Sequence, residues 1–89
     1  MTTERIVFSG HVQGVGFRYS VRLLARRHPV KGFVRNLPDG TVELVAQGTQ
    51  AAINALVLDV QEHFRNNIRD CDRKPETPAE TFDGFEIRF

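Results

Sequence analysis

Two stretches of this 89-residue chain repeat their apolar residues at three- and four-residue steps, and stretches that alternate every second residue stand around them. That ordering constrains the fold most. A 3.6-residue period buries one stripe of a helix, and a period of two buries one face of a strand. The first helical stretch starts at Phe17, where Phe17, Val21, Leu24 and Ala25 form a stripe and Arg18, Arg22, Arg26 and Arg27 lie largely off it. Pro29 bounds it, because the residue before a proline is driven out of the helical region. The second helical stretch lies within "GTQAAINALVLDVQEHF", with Thr49 as N-cap and Ala52, Ile53, Leu56, Val60 and Phe64 on one face.

The alternating segments supply strands. "RIVFSGHV" alternates around Ile6 and Phe8. "VKGFVRN" runs into "LPDG" and then "TVELVAQG", a hairpin whose turn has proline and glycine where a reverse turn wants them. "FDGFEIRF" ends the chain with Phe85, Ile87 and Phe89 alternating against Glu86 and Arg88. Between them "RNNIRDCDRKPETPAE" is polar and interrupted by prolines, with room for at most one weak strand near Ile68 to Arg73. The predicted order is strand, helix, strand, strand, helix, strand, which closes as an α+β domain: one antiparallel sheet with both helices on one face. Residues 1–89 are read as a single domain.

Charge and cysteine content exclude several classes. Cys71 is the only cysteine, so no internal disulfide forms, and a metal carrier needing a cysteine pair is excluded. Asp70 and Asp72 beside it raise a thiol pKa, which argues against a nucleophile. No apolar run approaches the roughly 18 residues of a membrane span, and "MTTERIVFSG" lacks a signal-type apolar stretch. A soluble cytoplasmic protein is expected, without a membrane partner. Residues 1–36 carry seven basic side chains against Glu4 alone, whereas residues 37–89 carry five basic and ten acidic ones. Either the first half meets an anionic partner, or the fold interleaves the halves and cancels the contrast.

"GHVQGVGFRYS", residues 10–20, is the stretch with chemistry in it. Gly14 and Gly16 permit left-handed backbone angles, so that successive N–H groups can converge on one anion. The helix that follows adds free N–H groups and the positive end of its dipole. Arg18 in its first turn meets mild repulsion there unless an anion lies between them. A phosphate loop of the metal-holding kind ends in Lys-Ser or Lys-Thr, and this one does not. Composition alone leaves a second reading, a tight strand-to-helix turn with a solvated Arg18. Phe17 reads as core, and Val12 and Val15 as loop anchors. Asn36 ends a strand before the turn. Its amide can orient a water, although an asparagine that merely starts a turn is the plainer reading. His11, His28 and His63 show no metal-ligand spacing; His28 and His63 read as surface residues.

Taken together, "GHVQGVGFR" and "GFVRNLPDGTVELVAQG" resemble the paired signatures of the acylphosphatases, and the likeness covers nearly the whole chain. The resemblance implies a ferredoxin-like βαββαβ fold and hydrolysis of carboxylic-phosphoric anhydrides. It maps a phosphate cradle onto His11, Val12, Gln13, Gly14, Val15, Gly16, Phe17 and Arg18. It makes Arg18 the essential arginine and Asn36 the residue that positions water. The implied ligands are a small acyl phosphate and, product-like, inorganic phosphate or sulfate; a monomer without cofactor, metal or nucleic acid is expected. The family usually has an apolar strand between Phe64 and Pro78, where this chain is charged. An RNA-binding module shares the element order, and "KGFVRN" begins like its aromatic strand motif, but no second Gly-Phe or closing aromatic follows. A phosphate-binding regulatory domain without catalysis is the other rival, and the presence of both Arg18 and Asn36 argues against it.

Overall fold

Phe17 is the wedge on which the fold turns. Its ring meets Phe8 edge-on at 5.4 Å and Phe64 at 4.5 Å, so one residue ties a strand, the start of one helix and the end of the other. A computed structural model describes residues 1–78 and 80–89. Its elements are β1 (Thr2–Gly10), α1 (Phe17–Ala25), β2 (Lys31–Asn36), β3 (Val42–Gly48), α2 (Gln50–His63), β4 (Ile68–Pro75) and β5 (Phe85–Arg88).

The five strands form one sheet in the order β4-β1-β3-β2-β5. Three pairings are antiparallel, β2–β3 as a hairpin; the fourth, β5 beside β2, is parallel, so the sheet is mixed and not wholly antiparallel as the sequence suggested. Both helices cover one face. There Ile6, Phe8, Val34, Val42 and Leu44 of the sheet meet Phe17, Val21, Leu24 and Ala25 of α1 and Ile53, Leu56, Val57 and Val60 of α2. The helical stripes read from the sequence are thus the buried ones. Thr49 caps α2 as expected, its hydroxyl accepting from the N–H of Ala52 at 3.1 Å. Among the described residues no helix is long and apolar enough to cross a membrane.

Two strand assignments change. "FDGFEIRF" is not the strand that completes βαββαβ; that place, beside β1, belongs to residues 68–75, and the last segment adds a fifth strand on the opposite edge. Hydropathy hid β4 because its inward positions are not all apolar. Arg73 faces the helix side and forms a two-pronged ion pair with buried Glu4, with N–O distances of 2.8 and 3.0 Å, and also donates to Asn54 of α2 at 2.7 Å. Gln50 of α2 completes the network on Glu4. Arg73 lowers the Glu4 pKa by hydrogen bonding to the carboxylate, against the upward push of burial.

The sheet's second face is closed by the polar segment after β4. Phe82 is buried there against Phe33 and Val45. Glu80 holds Arg88 through two 2.7 Å hydrogen bonds, and the Arg88 guanidinium lies 4.1 Å from the Phe33 ring centre. Beside this cluster Glu43, buried in β3, is held by Arg5 of β1 and Arg35 of β2. The fold interleaves the basic and acidic halves at Glu4, Glu43 and Asp59, but among the described ion pairs only Arg5 and Arg35 of the seven basic side chains in residues 1–36 meet an acid, so the contrast is cancelled only in part. His28 takes part in this: it is half-buried and bonded to Asp59 of α2 at 2.6 Å, not a free surface residue.

Candidate active site

β1 runs into the glycine loop at the end of the sheet where β2 also stops. Phe8 pairs with Val42, and Val42 pairs with Asn36, so the three form a row across β1, β3 and β2. Because β5 is parallel to β2, with Arg88 opposite Arg35, Phe89 emerges at the same end. The first turn of α1 completes the cluster, with the Arg18 guanidinium 4.7 Å from the Phe89 ring centre. Burial of Phe17 explains why Arg18 is available: the wedge fixes the first helical turn, and the next side chain turns away from the core.

The loop itself, residues 11–16, is fastened at three places. At its start, the His11 N–H donates to the Asn67 carbonyl at 2.9 Å, and the Asn67 side-chain amide donates back to the His11 carbonyl at 3.1 Å. In the middle, the Gln13 amide nitrogen donates to the carbonyls of Leu37 and Thr41, both at 2.9 Å. At its end, the Gly16 carbonyl accepts from Ser20 at 3.1 Å. Gly14 and Gly16 both adopt left-handed angles, φ 77° and 75°, and Gly16 is the N-cap of α1. Only glycine takes these angles without strain.

The N–H groups between these fastenings are left over. Among the described residues no hydrogen bond runs from a main-chain N–H of Val12 through Tyr19 to a protein acceptor. α1 has no acidic residue in its first turn and no side-chain cap. No described ion pair involves Arg18. A run of unpaired donors, a helix N-terminus and a guanidinium at one end of the sheet are groups of the chemistry that can hold a multiply charged anion.

Asn36 stands at the rim of the same end. Its Oδ1 is buried without a hydrogen-bond partner, which costs the folded chain about 1–3 kcal/mol. A buried acceptor of this kind takes its partner from outside the chain, a bound ligand or an ordered water. The remaining loop residues divide by role. Val12 and Phe17 are core side chains, and Val15 lies against the core, so these contribute only N–H groups to a ligand. His11 is exposed, its main chain engaged with Asn67.

Residues 4–87 match the family model described as Acylphosphatase. The chain belongs to the acylphosphatase family. An acylphosphatase from Bacillus licheniformis is 44% identical over the full length of both chains. One from Anaeromyxobacter dehalogenans is 47% identical, covering 96% of this chain and 77% of that one. The crystal structure of acylphosphatase from Bacillus subtilis superposes with a TM-score of 0.87 at 33% identity, covering all of both chains. The ferredoxin-like fold and the hydrolase class are thereby established, acyl phosphate hydrolysis being the activity of the acylphosphatases.

Sequence reasoning placed Gln13 in the phosphate cradle without a role for its side chain, and it did not find two further neighbours of the candidate site, Asn67 and Phe89. The Gln13 side chain reads as one more loop residue, yet it is the only polar side chain in residues 12–16, which is a usable signal. Asn67 lies just before β4 and Phe89 just after β5, the two edge strands, and no local pattern announces either.

Proposed function

We propose that the Arg18 guanidinium and the N–H groups of Val12 to Arg18 hold the phosphoryl group of an acyl phosphate while Asn36 positions the attacking water; the His11 N–H, engaged by the Asn67 carbonyl, drops out of the cradle. The run of N–H groups without protein acceptors, from Val12 to Tyr19, carries this reading. Those donors and the planar Arg18 fork lie where negative charge spreads over the non-bridging oxygens in the transition state. Asn36 supplies orientation in line with the departing oxygen, since an amide is no base at neutral pH.

Each bond is accounted for with these groups alone. Water oxygen forms the new bond to phosphorus, and the bond from phosphorus to the acyl oxygen breaks, its electron pair leaving with the carboxylate. The water proton passes to a phosphoryl oxygen of the substrate. A carboxylate with a solution pKa of about 4 departs without a general acid, so no aspartate, glutamate or histidine is required at the site. Neither is a metal required, because Arg18 and the loop supply the positive potential. The acting unit in this reading is the single domain 1–89, working as a monomer on a small substrate without nucleic acid or membrane.

The test is hydrolysis of an aromatic acyl phosphate in excess chelator, beside the corresponding aromatic phosphate ester. Rapid loss of the first with the second intact supports the reading. Cleavage abolished by chelator, or equal cleavage of both, overturns it.

A further inference from the structure

The two halves of the site come from different parts of the chain: the phosphate loop precedes α1, and Asn36 ends β2. In-line attack requires them to hold one geometry, and one side chain joins them. The Gln13 amide nitrogen donates both its hydrogens, one to the Leu37 carbonyl and one to the Thr41 carbonyl, each at 2.9 Å. Both acceptors are carbonyl oxygens, so the NH2 end of the amide must face them; a flipped amide would set oxygen against two oxygens.

These carbonyls are the closing groups of the β2–β3 turn. The Leu37 N–H donates to the Thr41 carbonyl at 2.9 Å, and the Gly40 N–H donates to the Leu37 carbonyl at 3.2 Å. Asp39 Oδ1 accepts from the N–H and the hydroxyl of Thr41, at 3.0 and 2.6 Å. The turn is therefore a rigid unit that begins one residue after Asn36. The loop, for its part, is secured at its start by Asn67 and at its end by Ser20. Among the described residues, Gln13 makes the hydrogen bonds between loop and turn. Its loss leaves each half folded and frees one to shift against the other.

We propose that Gln13 is a positioning residue, whose side chain sets the place of Asn36 relative to the bound phosphoryl group. This rests on the reading of Arg18 and Asn36 given above. A displacement of about 1 Å in such an arrangement costs turnover up to about a hundredfold. Phosphate binding depends on main-chain N–H groups and Arg18, which Gln13 does not supply through its side chain, so affinity is left nearly unchanged.

The experiment is a double-mutant cycle on Gln13→Met and Asn36→Ala, with kcat for an aromatic acyl phosphate and competitive inhibition by inorganic phosphate measured for all four proteins. Gln13→Met should lower kcat by at least about tenfold and leave the phosphate inhibition constant within about threefold. In the Asn36→Ala background it should lower kcat by less than about twofold, because residues acting as one unit are not additive. A purely structural role would give the same loss in both backgrounds, and that outcome overturns the proposal. So does an unchanged kcat in Gln13→Met, or an equal loss of kcat and phosphate affinity. If Asn36→Ala itself keeps full kcat, the reading of Asn36 falls and this proposal with it; a strong Asn36→Ala effect beside a silent Gln13→Met overturns only the proposal. Should Gln13→Met not fold, Gln13→Asn is read the same way, since its amide is one methylene shorter and reaches at most one of the two carbonyls.

Discussion

The Arg18 guanidinium lies 4.7 Å from the centre of the Phe89 ring, at the end of the sheet where the loop, α1, β2 and β5 meet. Phe89 is 93% exposed, so this stacking is worth about 0.5–1 kcal/mol. It holds the guanidinium in place only weakly. Phe89→Leu should therefore change inhibition by inorganic phosphate no more than about fivefold.

Arg18→Lys keeps the charge but removes the planar fork, and should lower kcat/KM by more than about a hundredfold. Steady-state kinetics on a folded Arg18→Lys protein checks this. Near-normal turnover would remove Arg18 from the mechanism.

Gly16→Ala tests the loop backbone. A Cβ at position 16 meets nothing within 4 Å, so the whole effect comes from the left-handed φ of 75°. The expected cost is about 1–2 kcal/mol of stability, read from urea denaturation. Activity should fall further than stability, because relief of the strain turns the N–H groups away from one another.

Arg73→Met tests the ion pair that holds β4. Arg73 is one-third exposed at its side chain and its partner Glu4 is nearly buried, so the loss should be about 1–3 kcal/mol at pH 7. The sign of the pH dependence follows from Glu4, whose carboxyl the Arg73 hydrogen bonds hold below the ordinary carboxylate range. A depressed carboxylate contributes stability that is complete above its unfolded pKa of about 4.3 and is lost as pH falls through the folded value. The difference between native protein and Arg73→Met should therefore shrink on acidification. A difference that stays constant down to about pH 2 would show that the pair is not its source.

Phe82→Ala should cost about 2–4 kcal/mol, since its ring leaves a cavity over Phe33 and Val45. The cluster lies on the sheet face away from the helices, and Asn36 stands three residues, about 10 Å, further along β2 from Phe33. Turnover of the folded protein should stay within about twofold. Thermal unfolding and kinetics on the same sample separate the two effects.

Much of the candidate site was legible because its signals are local. Gly14 and Gly16 had to be glycines for their angles, Phe17 opens a helical stripe, and "LPDG" places Asn36 at a strand end, all within a few residues of chain. β4 was nearly invisible for the opposite reason. Its buried side is completed by Arg73 on Glu4, a contact across 69 residues, and a strand stabilised by charge on its inner face shows no hydropathy alternation. His28 misled in the same way, since Asp59 lies 31 residues away.

By itself, then, the sequence determined the two helices, the hairpin and the glycine loop that opens α1, because period, turn chemistry and left-handed glycines act over short distances. Only tertiary structure decided which strand lies beside β1, that β5 joins the other edge in parallel, and that the Gln13 amide closes on the turn after Asn36. Those outcomes depend on which distant polar groups meet once the core has collapsed. A donor and an acceptor 24 residues apart leave no periodic trace before the fold brings them within 2.9 Å.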